Sequence, residues 1–228
     1  DRSQTDGLGT SDTGQAWDTN DGSRTANWDA DDLAATINQI TTATNRAGVN
    51  TTIGDAEMTM KWSLGSTPAA NTNLYGTFHL ADAAAGDVTN ELIRTGVTVT
   101  NTSTVFLGGA WLDSAGVAHD PTSTAITRET FAPDTLFDLK LRWLVDGTAS
   151  SATSVTNLFA KVWQSSTAEP ADWDTDERAI GSTTYGSGGV GLRASASAGA
   201  GTLVVRIDDV VVRTLDTSMT PAERRLRL

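Results

Sequence analysis

Seven side chains of this sequence could together bind a sugar, because they combine aromatic rings with planar or charged polar groups. Aromatic rings stack against the C–H groups of a pyranose, and polar groups beside them hydrogen-bond its hydroxyls. Each of the seven alternates with apolar neighbours along the chain, so we expect each to point outward from a β-sheet. The set consists of Tyr75, His79, Lys140, Arg142, Lys161, Trp163 and Arg193.

A plainer interpretation of these residues stays open, namely a solvated sheet face whose long side chains bury their apolar stems. Trp163 is the strongest single candidate for sugar stacking, although a tryptophan beside Val162 also suits the cover of a sheet edge. The strands that carry the seven residues are expected in one sheet, which would let them share a face.

The sequence contains no recognisable catalytic motif. Hydrolysis of a glycosidic bond needs two carboxyl groups about 5–9 Å apart. Sandwich hydrolases of the laminarinase type carry a Glu-x-Asp-x-Glu or Glu-x-Asp-x-x-Glu run, but no third carboxylate follows Asp55 and Glu57 in GDAEM. The two histidines, His79 and His119, belong to no motif with a nucleophile. We therefore expect a protein that is not an enzyme.

The composition narrows the possible partners. The chain has 228 residues, a formal charge of −12 and no cysteine, and its Lys and Arg residues cluster only in the last few positions. Nucleic acid and anionic membranes need a basic surface, so neither is an expected partner. Without cysteine there are no disulfides and no thiolate metal sites. No run approaches the roughly 20 apolar residues of a membrane helix, and the start lacks the pattern of a signal peptide.

Period-two alternation predicts an all-β fold. Met58, Met60, Trp62 and Leu64 fall on one face of a strand over 55–64. The stretch 136–173 contains two further strands, which we expect to pair in antiparallel fashion. Residues 31–50 are expected to form a loop with at most one helical turn, because their apolar residues have loosely helical spacing. Other strands are predicted within 73–82, 91–100, 103–112, 188–198 and 201–216.

Eight or more short strands separated by turns are typical of a two-sheet antiparallel jelly-roll sandwich. One such domain is expected over residues 1–216, and residues 217–228 are expected to form a terminal turn or linker.

Three stretches resemble a known family: LFAKVWQSSTAEPADW, GGVGLRASASAGAGTLVVRIDDVVV and GLGTSDTGQAW. They are similar to the concanavalin A-like or laminin G-like sandwich domains in minor tail and virion surface proteins of phages that infect actinobacteria. The resemblance implies a non-enzymatic module on the extracellular virion surface, oligomeric, with host cell-wall polysaccharide and other virion proteins as partners. Two alternatives stay open, a purely structural or decoration domain and a glycan-degrading enzyme domain.

The resemblance also has implications for two local features. In EPADW, Pro170 fixes the backbone of a turn, and Trp173 is expected to cover a sheet edge. In similar sandwiches an aspartate near the last strand binds a structural Ca²⁺, which requires hard oxygen ligands. That resemblance makes Asp209 the first candidate ligand, with Asp208 and Asp1 as further ones. The alternative is that Asp209 accepts backbone hydrogen bonds from the N-terminal segment.

Overall fold

The fold consists of antiparallel β-strands arranged in two sheets. The computed structural model describes residues 28–30, 35–40, 44–53, 55–82, 87–112, 118–119, 124–145, 154–181, 188–197 and 203–215. Within those ranges, no helix is long and apolar enough to cross a membrane. The predicted single domain over 1–216 and the predicted linker over 217–228 stay predictions, because both ends lie outside the described residues.

The described part of the chain contains fourteen strands. In chain order they are β1 (Trp28–Ala30), β2 (Ala35–Ile40), β3 (Thr44–Ile53), β4 (Ala56–Leu64), β5 (Thr72–Asp82), β6 (Asp87–Val99), β7 (Thr104–Leu112), β8 (Ala118–His119), β9 (Thr124–Thr130), β10 (Phe137–Val145), β11 (Ser154–Gln164), β12 (Thr175–Gly181), β13 (Gly188–Ala196) and β14 (Leu203–Thr214).

These strands form two seven-stranded sheets. The first sheet has the order β1-β2-β14-β4-β10-β11-β12. The second has the order β3-β13-β5-β6-β7-β8, and β9 also pairs with β7. The all-β, two-sheet antiparallel jelly-roll sandwich predicted from the alternation is therefore confirmed.

The core lies between the sheets and is built from the apolar positions of the alternating strands. Met58, Met60, Trp62 and Leu64 of β4 are each buried, as the sequence predicts. Strand β10 contributes Phe137, Leu139, Leu141 and Trp143, and the second sheet contributes residues such as Phe78 and Leu192. Because successive side chains of a strand point to opposite faces, the remaining residues of β4, β10 and β11 lie on the outer face of the first sheet.

Three expectations from the sequence are wrong. Residues 31–50 contain strands β2 and β3 where a loop with a helical turn was expected, and their β-branched Thr and Ile residues suit strands. Strands β9 and β12 were not predicted at all. The strands that carry the seven candidate residues do not share a sheet, because β5 and β13 belong to the second sheet and β10 and β11 to the first.

Candidate functional site

The candidate site lies on the outer face of the first sheet, where β4, β10 and β11 run side by side. Their register places Arg142 of β10 opposite Glu57 of β4 and Lys140 opposite Lys161 of β11. With Glu169 from the turn after β11, these four residues form what we call the charged cluster. Three cations and two carboxylates therefore meet on a face that Leu144 and Phe159 make partly apolar.

Glu57 is held by the two basic residues of β10. Its Oε2 accepts hydrogen bonds from Arg142 at 2.6 Å (Nη2) and 3.1 Å (Nε). Its Oε1 lies 3.4 Å from the Lys140 ammonium. The Glu57 and Arg142 side chains are only 11% and 10% exposed. Such a buried pair needs this hydrogen bonding to offset the cost of removing both charges from water.

Glu169 closes the cluster from above the sheet. Its Oε1 lies 2.7 Å from the Lys161 ammonium and 3.0 Å from that of Lys140. Partial burial raises the pKa of Glu169, but hydrogen bonds and charge from Lys161 and Lys140 outweigh it, so the pKa lies below its ordinary value. Glu169 is thus ionised at neutral pH, although 43% of its side chain is exposed.

Trp173 rests on the cations of the cluster. The Arg142 guanidinium carbon and the Lys161 ammonium each lie 4.9 Å from its ring centroid, within the range of cation–π attraction. Phe159 packs against the same ring, with centroids 5.7 Å apart. Trp173 therefore covers the face of β10 and β11. Strand β12 pairs only with Ser154–Ala160 of β11, so the end of β11 beyond Ala160 has no β12 partner, and the expectation that Trp173 covers a sheet edge stays a prediction.

A cavity of about 340 Å³ opens beside this tryptophan. Its size falls within the range of small-molecule sites. It combines one half-buried aromatic ring with ammonium, guanidinium and carboxylate groups, which are the groups that stack and hydrogen-bond a sugar. Its lining residues are Lys140, Arg142, Lys161, Glu169, Pro170, Ala171, Asp172 and Trp173.

The turn that carries Trp173 is fixed by its neighbour Asp174. Arg128 of β9 donates to both carboxylate oxygens of Asp174 and, at 2.7 Å, to the backbone carbonyl of Val162. Asp174 in turn accepts from the backbone N–H of Val162 at 3.2 Å. Its own N–H donates to the Ala160 carbonyl at 3.0 Å. A residue of the second sheet therefore positions a turn that lies on the first.

Four of the seven predicted sugar-binding residues lie on this face. Lys140, Arg142 and Lys161 line the cavity together. Trp163 lies on the same face, but only 8% of its surface is exposed and it is not among the residues that line the cavity. Its role in sugar stacking stays a prediction.

The other three predicted residues lie on the second sheet. Tyr75 of β5 and Arg193 of β13 are direct cross-strand partners. The Tyr75 ring also lies near Arg94, whose guanidinium carbon is 5.8 Å from the ring centroid. The backbone of His79 continues β5, and its side chain lies outside the described residues. No common face with the charged cluster exists for these residues.

The predicted metal ligands Asp208 and Asp209 lie at a bulge of β14. Register with β4 shifts between Asp208 and Val211, and Asp209 has a positive φ of 50°. The Asp209 carboxylate binds the Lys61 ammonium, and this hydrogen bond raises the pKa of Lys61, which therefore stays charged. Asp208 accepts from the Asp209 N–H at 2.7 Å.

The Lys61 ammonium and a Ca²⁺ at Asp209 would compete for the same carboxylate. Within the described ranges, no group of three or more potential metal ligands comes together. Asp1, the third predicted ligand, lies outside the described residues, so calcium binding stays a prediction.

Sequence reasoning missed Trp173, Glu169 and Arg128 as parts of the site. The signal available for the first two was the EPADW turn, which follows directly after a strand with outward Lys161. The role of Arg128 could not be predicted from local sequence patterns, since its partner Asp174 is 46 residues away in the sequence.

The fold defines a class, the concanavalin A-like jelly-roll sandwiches. Solved structures similar to this chain include the β-glucanase of Bacillus licheniformis, at 10% identity and a TM-score of 0.56 over 95% of this chain and 99% of the other. Zobellia galactanivorans LamA in complex with laminaritriose and laminaritetraose is 12% identical, with a TM-score of 0.53 over 93% of this chain and 97% of the other. A legume lectin-like domain of Entamoeba histolytica is 8% identical, with a TM-score of 0.51 over 88% of this chain and 89% of the other.

At these identities the likeness concerns the fold alone. Comparison of the sequence with protein-family models and with curated proteins gives no match.

Proposed function

We propose that this chain is a non-enzymatic module that binds a cell-surface polysaccharide in the cavity beside Trp173. The observation that carries the proposal is the ring of Trp173 resting on Arg142 and Lys161 at the cavity wall. Two cations beneath one ring hold it in a fixed orientation, which lowers the entropy cost of stacking a sugar on it. Hydrogen-bonding groups of the charged cluster lie within the same cavity.

The fold likeness agrees with saccharide binding. A legume lectin-like domain has the same sandwich fold as this chain, and so does LamA, whose structure contains laminaritriose and laminaritetraose. Because fold alone does not define function, the proposal depends on the cavity and its residues.

Glu57 and Glu169 are both ion-paired carboxylates, which favours saccharide binding over hydrolysis. Glu57 and Glu169 both contact the Lys140 ammonium, which brings two carboxylates close together as in a glycosidase. A general acid, however, needs a raised pKa so that it holds a proton. The pKa of Glu169 is lowered by Lys161 and Lys140 despite its burial, and Glu57 is paired with Arg142.

The virion assignment rests on the sequence resemblance alone. Under this proposal the module is part of a phage tail or virion surface and is displayed extracellularly in several copies. Its partners are host cell-wall polysaccharide and other virion proteins. The alternative from the sequence, a structural or decoration domain, predicts no binding to any wall fraction.

The test is a glycan array and a pull-down on actinobacterial cell walls, performed with two matched variants. Trp173→Ala removes the aromatic ring of the cavity and is expected to abolish saturable binding. Tyr75→Ala removes an aromatic ring from the opposite sheet and is expected to leave binding unchanged. Melting curves of both variants confirm that each is folded.

Three results would overturn the proposal. Loss of binding in Tyr75→Ala but not in Trp173→Ala would move the site to the second sheet. Absence of binding by the parent protein to every wall fraction would favour the structural alternative. Release of new reducing ends from wall polysaccharide by the parent would instead support the enzyme alternative.

A further inference from the structure

Glu169 is the exchangeable member of the charged cluster. Glu57 belongs to a strand and is buried under two hydrogen bonds from Arg142. Glu169 belongs to a turn, is partly exposed, and holds both ammonium groups with a single carboxylate oxygen. Among these two carboxylates, it is therefore the one that a ligand can replace without disturbing the sheet.

Without Glu169 the cavity would have a surplus of positive charge. Lys140, Arg142 and Lys161 would then face two carboxylates: Glu57, which is in contact with Lys140 and Arg142, and Asp172 on the cavity wall. Lys161 is 5% exposed, and an ammonium this deeply buried is costly without a charged partner. Its other hydrogen bond, to the Pro170 carbonyl at 2.8 Å, is to a neutral group. An anion is needed at this position, whether it comes from the chain or from a ligand.

We propose that the cavity binds the acidic group of an anionic saccharide, which replaces the Glu169 carboxylate on Lys161 and Lys140. This inference rests on the proposed function and specifies its ligand class. The acidic group is a uronate carboxylate or a phosphate, and the attached ring lies against Trp173. The ionised Glu169 carboxylate competes with the ligand for Lys161 and Lys140. A ligand therefore displaces it only if its own acidic group is charged and reaches both ammonium groups.

The arrangement gives local selectivity to a protein that repels anions overall. The chain has a net charge of −12, which disfavours the approach of any acidic polymer. Three cations in one cavity offset this only for a ligand that places its charge between Lys140 and Lys161. Neutral saccharides gain nothing from these cations beyond ordinary hydrogen bonds.

The experiment compares three probes by isothermal titration calorimetry at pH 7: a glucuronic acid tetrasaccharide, the matched glucose tetrasaccharide and a monophosphorylated glucose tetrasaccharide. We expect at least one acidic probe to bind on the order of tenfold more tightly than the neutral one. The two acidic probes separate a carboxylate ligand from a phosphate ligand.

Two variants test the exchange itself. Glu169→Gln is expected to raise the affinity for the preferred acidic probe several-fold and to leave the neutral probe unchanged. Asp134→Asn is the charge control, because it also removes one negative charge, from an exposed turn, and is expected to change neither affinity. Lys161→Met is expected to reduce acidic binding to the neutral level, and Glu169→Gln remains informative if that buried change prevents folding.

The outcomes separate the two proposals. Binding of the neutral probe with equal or greater affinity than both acidic ones would overturn the inference and leave the proposed function intact. An unchanged acidic affinity in Glu169→Gln would also overturn it. No binding of any probe, together with no binding to cell walls, would refute the proposed function as well.

Discussion

Removing Arg142 alone should destabilise the protein strongly, whereas removing Arg142 and Glu57 together should not. In Arg142→Met the Glu57 carboxylate loses two hydrogen bonds and keeps only the Lys140 ammonium, 3.4 Å from its other oxygen. Breaking a buried ion pair from one side costs about 3–5 kcal/mol. Because Lys140 remains, we expect the lower end of this range, about 3 kcal/mol.

Replacing Glu57, the partner of Arg142, should reduce the free energy of unfolding by less than replacing Arg142 does. In Glu57→Leu the Arg142 guanidinium loses its carboxylate but keeps Trp173 and faces the cavity, where water can solvate it. We expect a loss of about 2 kcal/mol. In the double variant no unpaired charge of the pair remains, and apolar side chains of similar volume replace it. Its stability should lie within about 1 kcal/mol of the parent.

Urea unfolding of the four proteins measures this cycle, with the slope of each transition checked for two-state behaviour. A loss of about 3 kcal/mol corresponds to a fall of roughly 6–12 °C in the melting midpoint for a domain of this size. The coupling between the two changes should be about 4 kcal/mol or more, whereas independent sites give less than about 0.5 kcal/mol.

Arg206→Met is the matched control. Arg206 and Asp134 form an ion pair of 2.9 Å, but their side chains are 52% and 65% exposed. Exposed pairs contribute about 0–1 kcal/mol, so this change should be nearly neutral. If Arg142→Met costs no more than Arg206→Met, or if the cycle is additive, the Glu57–Arg142 pair is screened by solvent and our account of the cluster is wrong.

Two other predictions concern the second sheet and the metal. Gly96→Ala should cost about 3 kcal/mol or more in urea unfolding, because its Cβ would lie 2.2 Å from the Leu74 carbonyl oxygen and 2.7 Å from the Tyr75 Cα. Gly65→Ala, whose Cβ would meet nothing nearer than 3.7 Å, should change stability by less than about 1 kcal/mol, and equal losses would contradict this. For calcium, the melting midpoint should be higher in CaCl₂ than in EGTA, and more so in Lys61→Met, which frees the Asp209 carboxylate. Midpoints that are the same in both buffers for both proteins would refute calcium binding.

The sequence was sufficient to predict several of the strands that build the core. Met58, Met60 and Trp62 alternate with polar residues, and the structure buries all three. Strands without this alternation were missed for physical reasons. In β9 the buried residues Ile126 and Glu129 are three apart and so do not alternate. Strand β12, with the sequence TDERAIG, has no apolar alternation to detect.

The candidate site was only partly predictable. Alternation correctly indicated that Lys140, Arg142 and Lys161 lie on one outer face, since this requires only local periodicity and the pairing of β10 with β11. It could not show that Tyr75 belongs to another sheet, because strand order depends on contacts between distant parts of the chain. Nor could it show that Trp173 folds back over the sheet, which depends on Arg128 binding Asp174.

The ion pair between Arg128 and Asp174 means that the candidate site and the packing of the two sheets are not independent. Arg128 belongs to the second sheet, while the turn it holds presents Trp173 on the first. Separation of the sheets along this side would break this ion pair and release the turn. By thermodynamic reciprocity, a ligand that needs Trp173 in place would draw the sheets together.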